Sequence, residues 1–459
     1  FEAWQYFVWG VTRAEACRDG SPEWMEVDDS SAFPEKTTAV PEVVIRRKGY
    51  AGSLRVRWYK VTDEATQEAW VAALIARDPA PIAVFGGWSS DRAKELANAM
   101  REAKWPAAKP VLFLATATAD SVAREADTYP ADYTPPQLIG LYDRSFRLCF
   151  TNKQMAGAVT DFVFADPTLR PGPVVWPGLR AVPGGAGGGW AALTWLADLG
   201  TDPSPLPAFT IAWEDDDFSV DLRQQFIAEM ALRSAGPERP RLDVIRDNVP
   251  FSTGRLNRPN PREAAVADEI LKQLPPPGQR TVIVLPAVSA PARRTLRALV
   301  QGDPGVGRRL VALNGDGIGV NTFFRDREFL WPVRSLPIPV AIFTHADPFA
   351  WDRPGEGPAP PPGYELPPPD PGRVRSTTEE IQLYNLKHLT PAFFDASANR
   401  LSGTGEHVVV LRPNFPGDQA NGRGHAEARL DVYTRRPGSP EWVRLHELPL
   451  ARTNGGHVE

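Results

Sequence analysis

The chain of 459 residues is poor in several features that would assign it to a class of protein. Its 2 cysteines, Cys17 and Cys149, exclude a disulfide-rich scaffold and a cysteine-rich metal module, although the sequence leaves open whether they pair. With 51 Lys and Arg against 56 Asp and Glu, there is no broad basic field for nucleic acid or an anionic membrane. No apolar run approaches the roughly 18 residues of a membrane span.

The sequence also lacks the signatures of common enzymes. There is no phosphate-binding loop with Lys-Ser/Thr, no His-Glu-x-x-His, and residues 87–91 lack the last glycine of a nucleophile elbow. The 6 histidines are scattered without ligand spacing. We therefore predict no catalytic activity, no metal and no cofactor, and keep an α/β enzyme that uses His345 or Asp316 as an alternative.

Short apolar strands alternate with amphipathic helices along most of the chain. Continuous apolar strands between helices are typical of parallel sheets covered on both faces, and these elements are too many for one modest sheet. The predicted fold is α/β with two doubly wound, Rossmann-like lobes. Predicted strands are Leu54–Val61, 82–85, Val111–Leu114, Phe146–Phe150, Ala208–Trp213, Leu242–Ile245, Thr281–Leu285, Leu310–Asn314 and Val340–Thr344. Predicted helices are Glu64–Arg77, Ser90–Arg101, Asn152–Phe164, Ser219–Arg233, Ala264–Leu274 and Ala292–Val300.

Proline-rich and glycine-rich stretches, and changes in the pattern of predicted strands and helices, suggest the boundaries between parts of the chain. Proline is unusually frequent, at 48 residues, and much of the excess falls within 354–371, which cannot form helix or central strand. The predicted parts are a first lobe over 1–145 with an irregular N-terminal segment (a loop over 18–42), a second lobe over 146–280 with a glycine-rich insertion at 167–207, an α/β segment returning across the lobes over 281–345, a proline-rich loop over 346–375, a late helix over 376–403 and a β appendage over 404–459.

Polar residues that directly follow the strands are the candidate binding residues, because open α/β sheets bind ligands at the carboxyl ends of their strands. Ser89 and Ser90 offer hydroxyls at a helix start, where they could bind a carboxylate or serve only as the N-cap. Asp316 follows another strand on a glycine-flanked turn, where it could pair with a ligand ammonium or fix the turn. The acidic run 214–217 favours a solvated cluster at a helix N-terminus over a cation site.

The order of these motifs resembles the type I periplasmic binding proteins, in particular the branched-chain amino-acid receptor group. The resemblance covers roughly 54–345 and extends towards 400. It is carried by the strand and Ser-Ser turn of 82–90, the proline-led strand and turn of 109–118, Phe146-Arg147 followed by Gln154, the acidic turn of 213–218 and Phe394-Asp395-Ala396.

The resemblance implies two lobes that a hinge closes over a small polar metabolite, an amino acid or related carboxylate, outside the cytoplasm. The partner would be a membrane permease or a sensor, for ABC-type uptake or sensing. Ser89 and Ser90 would hold the ligand carboxylate, and Asp316 would face the ammonium. The complete set of predicted ligand contacts is Trp88, Ser89, Ser90, Thr116, Thr118, Asp217, Phe218, Asp316 and His345.

Several positions depart from the pattern of that group. The group's Tyr-Gly is Phe218-Ser219 here, its serine at the second turn falls on Ala115 or Ala117, and 1–53 lacks the usual first strand and helix. The chain begins with Phe1 rather than Met, so we expect that something upstream has been removed, whether a signal, an anchor or residues beyond the boundary of the expressed piece. The altered turns, together with the proline-rich loop and the added β elements, support an alternative, an interaction or sensor domain of the same fold without a transport ligand.

Overall fold

The computed structural model describes part of the chain in detail. The described residues are 25–36, 39–59, 66–122, 135–174, 205–211, 216–234, 242–246, 262–318, 337–346, 394–395, 400–401, 406–413, 428–435 and 439–449, together with 4, 7, 8 and 11. All structural statements below refer to these residues. The proline-rich loop predicted over 346–375 lies outside them except for residue 346, as do Cys17 and most of the insertion at 167–207.

The N-terminal part forms a small antiparallel sheet of its own. Strands β1 (Met25–Asp28), β2 (Glu42–Arg47) and β3 (Ser53–Arg57) pair in that order. One face of the sheet buries Val43 against Trp4 and Val8. The prediction of a loop over 18–42 is therefore wrong at Met25–Asp28, which forms β1. This strand is held by pairing with β2, a long-range contact that the local sequence does not reveal.

The first lobe is a parallel three-stranded sheet with helices packed on one face. Its strands are β4 (Ala83–Gly86), β5 (Val111–Leu114) and β6 (Ser145–Arg147), paired in that order, and its helices are α1 (Gln67–Ile75) and α2 (Ser90–Glu102). Leu112 and Leu114 alternate with less buried residues and pack against Leu96 and Met100 of α2. This packing sets the C-terminal ends of the strands beside the start of α2.

In the described residues, the second lobe has a mixed sheet of nine strands and four helices. Its helices are α3 (Asn152–Ala165), α4 (Asp217–Ser234), α5 (Arg262–Gln273) and α6 (Ser289–Gly302). Its first six strands are β7 (Gly172–Pro173), β8 (Leu206–Thr210), β9 (Leu242–Arg246), β10 (Gln279–Val284), β11 (Leu310–Asn314) and β12 (Val340–Thr344). After a separate pair, β13 (Phe394–Asp395) and β14 (Arg400–Leu401), the sheet gains β15 (Glu406–Arg412), β16 (Arg429–Arg435) and β17 (Val443–Pro449).

The order of the strands in the second sheet is β17-β16-β15-β12-β11-β10-β8-β9, with β7 paired to β10 at the side. Strands β8 to β12 run parallel, and β15 to β17 continue the sheet antiparallel.

Successive residues of the central strands face opposite sides of this second sheet. Ile283 packs with α5 and α6 on one side, whereas Val282 and Val284 pack with α3 and α4 on the other. Two apolar layers therefore cover the sheet, which confirms the doubly wound α/β prediction. Among the described residues, no helix is long and apolar enough to cross a membrane.

The later parts of the chain are arranged differently from the sequence-based expectation. Segment 281–345, predicted to return across the lobes, contributes β10, β11 and β12 to the second sheet. The strands of 404–459 extend that same sheet beyond β12. The helix predicted over 376–403 is wrong at β13 and β14, which lie within that range and pair with each other. Their backbone N–H and C=O groups bond between the two strands and not along a helix.

Candidate functional site

The N-termini of α2 and α4 meet where the two lobes touch. The Asp91 carboxylate of α2 accepts a hydrogen bond from the Asp217 backbone N–H of α4, at 3.1 Å. Lys94 Nζ lies 2.7 Å from Asp217 Oδ2. The sequence predicted a solvated acidic cluster here, but Asp217 is 6% exposed. The reason is that the lysine of the opposite lobe compensates the buried charge.

A second carboxylate, that of Asp221, joins the lobes from one turn further along α4. It accepts hydrogen bonds from the backbone N–H groups of Asp120 (2.8 Å) and Ser121 (3.1 Å) and from the Ser121 hydroxyl (2.7 Å). The Asn152 amide donates to it from the start of α3, at 2.9 Å. Asp221 is 2% exposed, so one buried side chain holds together the loop after β5, α3 and α4.

The serines predicted to bind a carboxylate are engaged within the chain. Ser89 is the N-cap of α2 and accepts a hydrogen bond from the Arg92 N–H at 3.3 Å. The Ser90 hydroxyl is buried and accepts one from the Ala119 N–H at 3.2 Å. Neighbouring Trp88 is half exposed, with the Arg92 guanidinium 5.7 Å from its ring centre. The structural alternative, an N-cap, is therefore realised at Ser89, and ligand binding at these serines stays a prediction.

Three other predicted contacts also lie near the junction. The Thr116 hydroxyl donates to the Trp88 carbonyl at 3.1 Å, which ties the turn after β5 to the turn after β4. Thr118 is buried, and its carbonyl accepts from the Asn152 N–H at 2.8 Å. The Phe218 carbonyl accepts from the Asn152 amide at 3.0 Å. These hydrogen bonds connect the turns after β4 and β5 to each other and to the N-termini of α3 and α4.

Asp316 and His345 form a buried pair at the carboxyl ends of β11 and β12. His345 Nε2 lies 2.9 Å from Asp316 Oδ2, and His345 is fully buried. The imidazole ring is flanked by Phe150 and Phe343, with ring centres 5.7 and 5.5 Å away. The structure thus brings together two of the predicted contacts, which the sequence treated separately. Ligand binding by Asp316 and by His345 stays a prediction.

Cys149 lies at the same level, directly after β6, as a buried free thiol. Complete burial raises its pKa to about 12. The raised pKa keeps this thiol protonated at physiological pH and disfavours the thiolate form that nucleophilic attack and metal ligation require. Among the described residues, no group of three or more His, Cys, Asp or Glu could hold a metal ion.

A cavity of about 450 Å³ opens on the other side of the junction, along α3. The first lobe contributes Asp120, Gln137, Ile139 and Arg147 to its wall. The second lobe contributes residues of α3, the end of α4 and the strands β15 and β16. No local pattern in the sequence indicates this cavity, because its walls come from distant segments of the chain.

Several junction residues escaped the sequence analysis for a common reason. Asp91, Lys94 and Asp221 lie on helices rather than in the turns after strands. Residues three or four positions apart on a helix share a face, which holds for Asp91 with Lys94 and for Asp217 with Asp221. Charged residues on one face of a helix's first turns were the available signal, but the same pattern is typical of solvated helices.

The Asp91 carboxylate should make the stability of the junction depend on pH. Burial raises its pKa from 3.8 to about 6, and the neighbouring charges of Asp217 and Asp216 add to the effect. Because this pKa is higher than in the unfolded chain, the stabilisation is complete below about pH 4 and is lost as the pH rises through about 6. In Asp91→Asn, which keeps the acceptor for Asp217, we expect the decrease in melting temperature between these pH values to be smaller.

The measurement is thermal unfolding across that pH range, with Asp29→Asn as the control because Asp29 is exposed. The control should follow the wild-type pH profile. An Asp91→Asn profile parallel to that of the wild type would contradict the assignment of the raised pKa to this contact.

No protein-family model and no curated protein sequence matches the chain. Solved structures of ABC-transporter solute-binding proteins do match over most of its length. A leucine-binding protein of Thermotoga maritima is 11% identical, with 83% of this chain and 84% of that chain covered and a TM-score of 0.38.

Two further matches come from Rhodopseudomonas palustris. A solute-binding protein in complex with 4-hydroxybenzoate is 10% identical, with coverage of 85% and 80% and a TM-score of 0.39. Another, from strain BisB5 in complex with 3,4-dihydroxybenzoic acid, is 10% identical, with coverage of 84% and 83% and a TM-score of 0.37. They belong to the group that the sequence motifs resemble. Their backbones superpose only loosely on this one.

Proposed function

We propose that the protein is a noncatalytic solute-binding protein that closes two lobes over a small polar metabolite, in ABC-type uptake or sensing outside the cytoplasm. The observation that carries the proposal is the polar junction between the lobes. An extracytoplasmic place and a permease or sensor partner follow from the sequence resemblance. An amino acid or related carboxylate is the ligand class that the same motifs imply.

The apolar cores of the two lobes are separate. The first-lobe core contains residues between Val71 and Tyr142, and the facing core of the second lobe contains residues from Phe150 onwards. Between them lie the hydrogen bonds accepted by Asp91 and Asp221 and the ion pair of Lys94 with Asp217. Because polar bonds rather than a continuous apolar core join the lobes, the expected motion is an opening and closing of the lobes about the chain that joins them.

The alternative, an interaction domain without a transport ligand, is favoured by one feature of the first lobe. Phe85, Phe113 and Phe146 stand in register on the sheet face opposite α2, with ring centres 4.7 and 5.8 Å apart. Ile82 and Phe85 are 71% and 61% exposed. Phe113 and Phe146 are half-buried, so the row ends in an exposed ring, which suits contact with another macromolecule better than it suits a small polar solute.

A ligand screen distinguishes the two functions. We expect at least one member of a panel of amino acids, small carboxylates, amides and sugars to raise the melting temperature by several degrees. A ligand at about 1,000 times its Kd contributes about 4 kcal/mol to stability, and about 1 kcal/mol shifts the melting temperature of a mid-sized domain by roughly 2–4 °C. The same ligand should decrease the radius of gyration in X-ray scattering.

The control is a screen member that leaves the melting temperature unchanged, which should also leave the scattering curve unchanged. A panel without any stabilising member, together with a constant radius of gyration, would contradict solute binding. The aromatic row of the first lobe would then become the site to test.

A further inference from the structure

The charges of the chain are unevenly distributed, and the hairpin of β2 and β3 is strongly basic. Residues 42–57 contain five Arg and Lys and one Glu, a net charge of +4 in a chain whose net charge is −5. All five of these cations are exposed. An anionic surface would therefore be attracted to this hairpin and not to the molecule as a whole.

Two of the five cations are compensated within the hairpin. Arg55 and Arg57 flank Glu42, at nitrogen-to-oxygen distances of 3.1 and 2.5 Å. Glu42 begins β2 and lies opposite Arg57, which ends β3. This ion-pair group therefore lies at the end of the hairpin that is away from its turn.

The other three cations lie at the turn. Arg46 and Arg47 end β2 and Lys48 follows them, and we call these three residues the basic tip. None of them forms an ion pair within the described part of the chain. On the neighbouring strand β1, Glu26 lies opposite Arg46, and Asp28 lies two residues further from the turn. The basic tip therefore carries more positive charge than the acidic residues beside it compensate.

The turn itself faces open space. The Tyr50 N–H donates to the Arg47 carbonyl at 3.2 Å and closes the turn, in which Gly49 has a φ of 81° that favours glycine. A Cβ added to Gly49 or to Gly52 would meet no atom within 4 Å. Another surface can therefore approach the turn closely.

Apolar side chains are exposed beside the basic tip. One face of the small sheet buries Val43 completely, but Leu54, further along the same face, is 44% exposed. Tyr50 is 64% exposed, and the Arg47 guanidinium lies 4.4 Å from the centre of its ring. The turn thus presents an aromatic ring and an aliphatic side chain together with its cations.

We propose that the turn between β2 and β3 docks on a membrane surface that carries anionic phospholipid. Arg and Lys side chains bind anionic headgroups while their aliphatic stems lie along apolar surface. An amphipathic ring such as that of Tyr50 suits the level of the headgroups. An acidic protein surface would match the charges but not the exposed Leu54, so the apolar side chains favour lipid. This docking is separate from solute binding, which concerns the contact between the lobes.

Co-sedimentation with lipid vesicles tests the class of partner. The protein should bind vesicles of equal parts phosphatidylglycerol and phosphatidylcholine at least about tenfold more tightly than vesicles of phosphatidylcholine alone, because anionic headgroups attract the basic tip. Binding should weaken as the salt concentration increases. Equal binding to both kinds of vesicle, or no binding to either, would overturn the proposal. Soluble polyglutamate that binds as tightly as the anionic vesicles would also overturn it, in favour of an acidic protein.

Removal of charge tests the place. The triple variant Arg46→Gln/Arg47→Gln/Lys48→Gln should weaken binding to the anionic vesicles by at least about thirtyfold, since each basic residue near such a surface contributes roughly fivefold. The three side chains are exposed, so the variant should fold.

The matched control removes the same charge elsewhere. Lys104→Gln/Arg144→Gln/Arg297→Gln changes three exposed cations outside the hairpin and should bind the vesicles as the wild type does. Equal weakening in the two triple variants would show that only net charge matters, which would overturn docking by the hairpin.

Removal of the ring tests the apolar part of the contact. Tyr50→Ala should weaken vesicle binding by about threefold and leave its salt dependence unchanged, because the ring carries no charge. Wild-type binding by this variant would overturn the preference for lipid. None of these measurements uses a solute, so their failure and the failure of solute binding are distinguished.

Discussion

Asp221→Ala should reduce the free energy of unfolding by about 2–5 kcal/mol and loosen the contact between the lobes. The carboxylate is buried and accepts from the backbone N–H groups of Asp120 and Ser121. Its removal leaves both donors without their acceptor in a place with little water, and each such donor costs about 1–3 kcal/mol. Urea unfolding followed by tryptophan fluorescence measures the loss. X-ray scattering should show a larger radius of gyration.

Two other variants make the result specific. Asp221→Asn retains one carbonyl acceptor and should lose less than the alanine variant. Asp243→Ala removes an exposed carboxylate from edge strand β9 of the same lobe and should change stability by less than about 0.5 kcal/mol. An Asp221→Ala protein with wild-type stability and scattering would show that the lobes do not depend on this bridge.

Arg412→Met should cost about 3–5 kcal/mol, because it removes the cation that two buried carboxylates share and leaves Asp166 without an ion-pair partner among the described residues. Arg412 on β15 lies 2.6 Å from both Asp431 Oδ2 and Asp166 Oδ2. It also donates to Thr168 Oγ1 at 2.6 Å. Asp431 is fully buried, so water cannot replace the lost partner, and Arg429, 3.3 Å away, is the cation that it retains. The arginine thus fastens the antiparallel strands of the second sheet to the end of α3.

The effect of this substitution should depend on pH. Although burial opposes it, the charge of Arg412 and the hydrogen bonds of Thr168 lower the pKa of Asp166 below 3.8. A lowered pKa contributes stability that is present above the unfolded-state value and is lost as the pH falls through the folded-state value. The difference in melting temperature between wild type and Arg412→Met should therefore be largest near neutral pH and shrink in acid.

Arg444→Met on β17 is the control for charge removal. Arg444 is 45% exposed and pairs with Glu447 at 2.5 Å. The loss of such a solvated pair should cost less than about 1 kcal/mol. Equal losses for the two variants, or a loss for Arg412→Met that does not change with pH, would contradict the buried network.

The sequence predicted the alternating strands and helices of both lobes within a few residues. The capping Ser89 and the apolar spacing of Ala93, Leu96 and Met100 are local signals, and α2 begins at the predicted residue. Capping and helical periodicity act over a few neighbouring residues, so they can be recognised without the fold. Strand β1 was missed because it is short and mixed in polarity, and only pairing with β2 holds it.

Local sequence was sufficient for the α/β class, the two lobes and the turns at the carboxyl ends of the strands, since these follow from periodicity and from the general position of such turns. Which polar groups already have a hydrogen-bond or ion-pair partner within the chain depends on how the lobes pack together. This packing pairs Ser90 with Ala119 and Asp217 with Lys94. These partners are distant along the chain, and hydrogen-bond satisfaction over such separations is determined by tertiary contacts that no local pattern encodes.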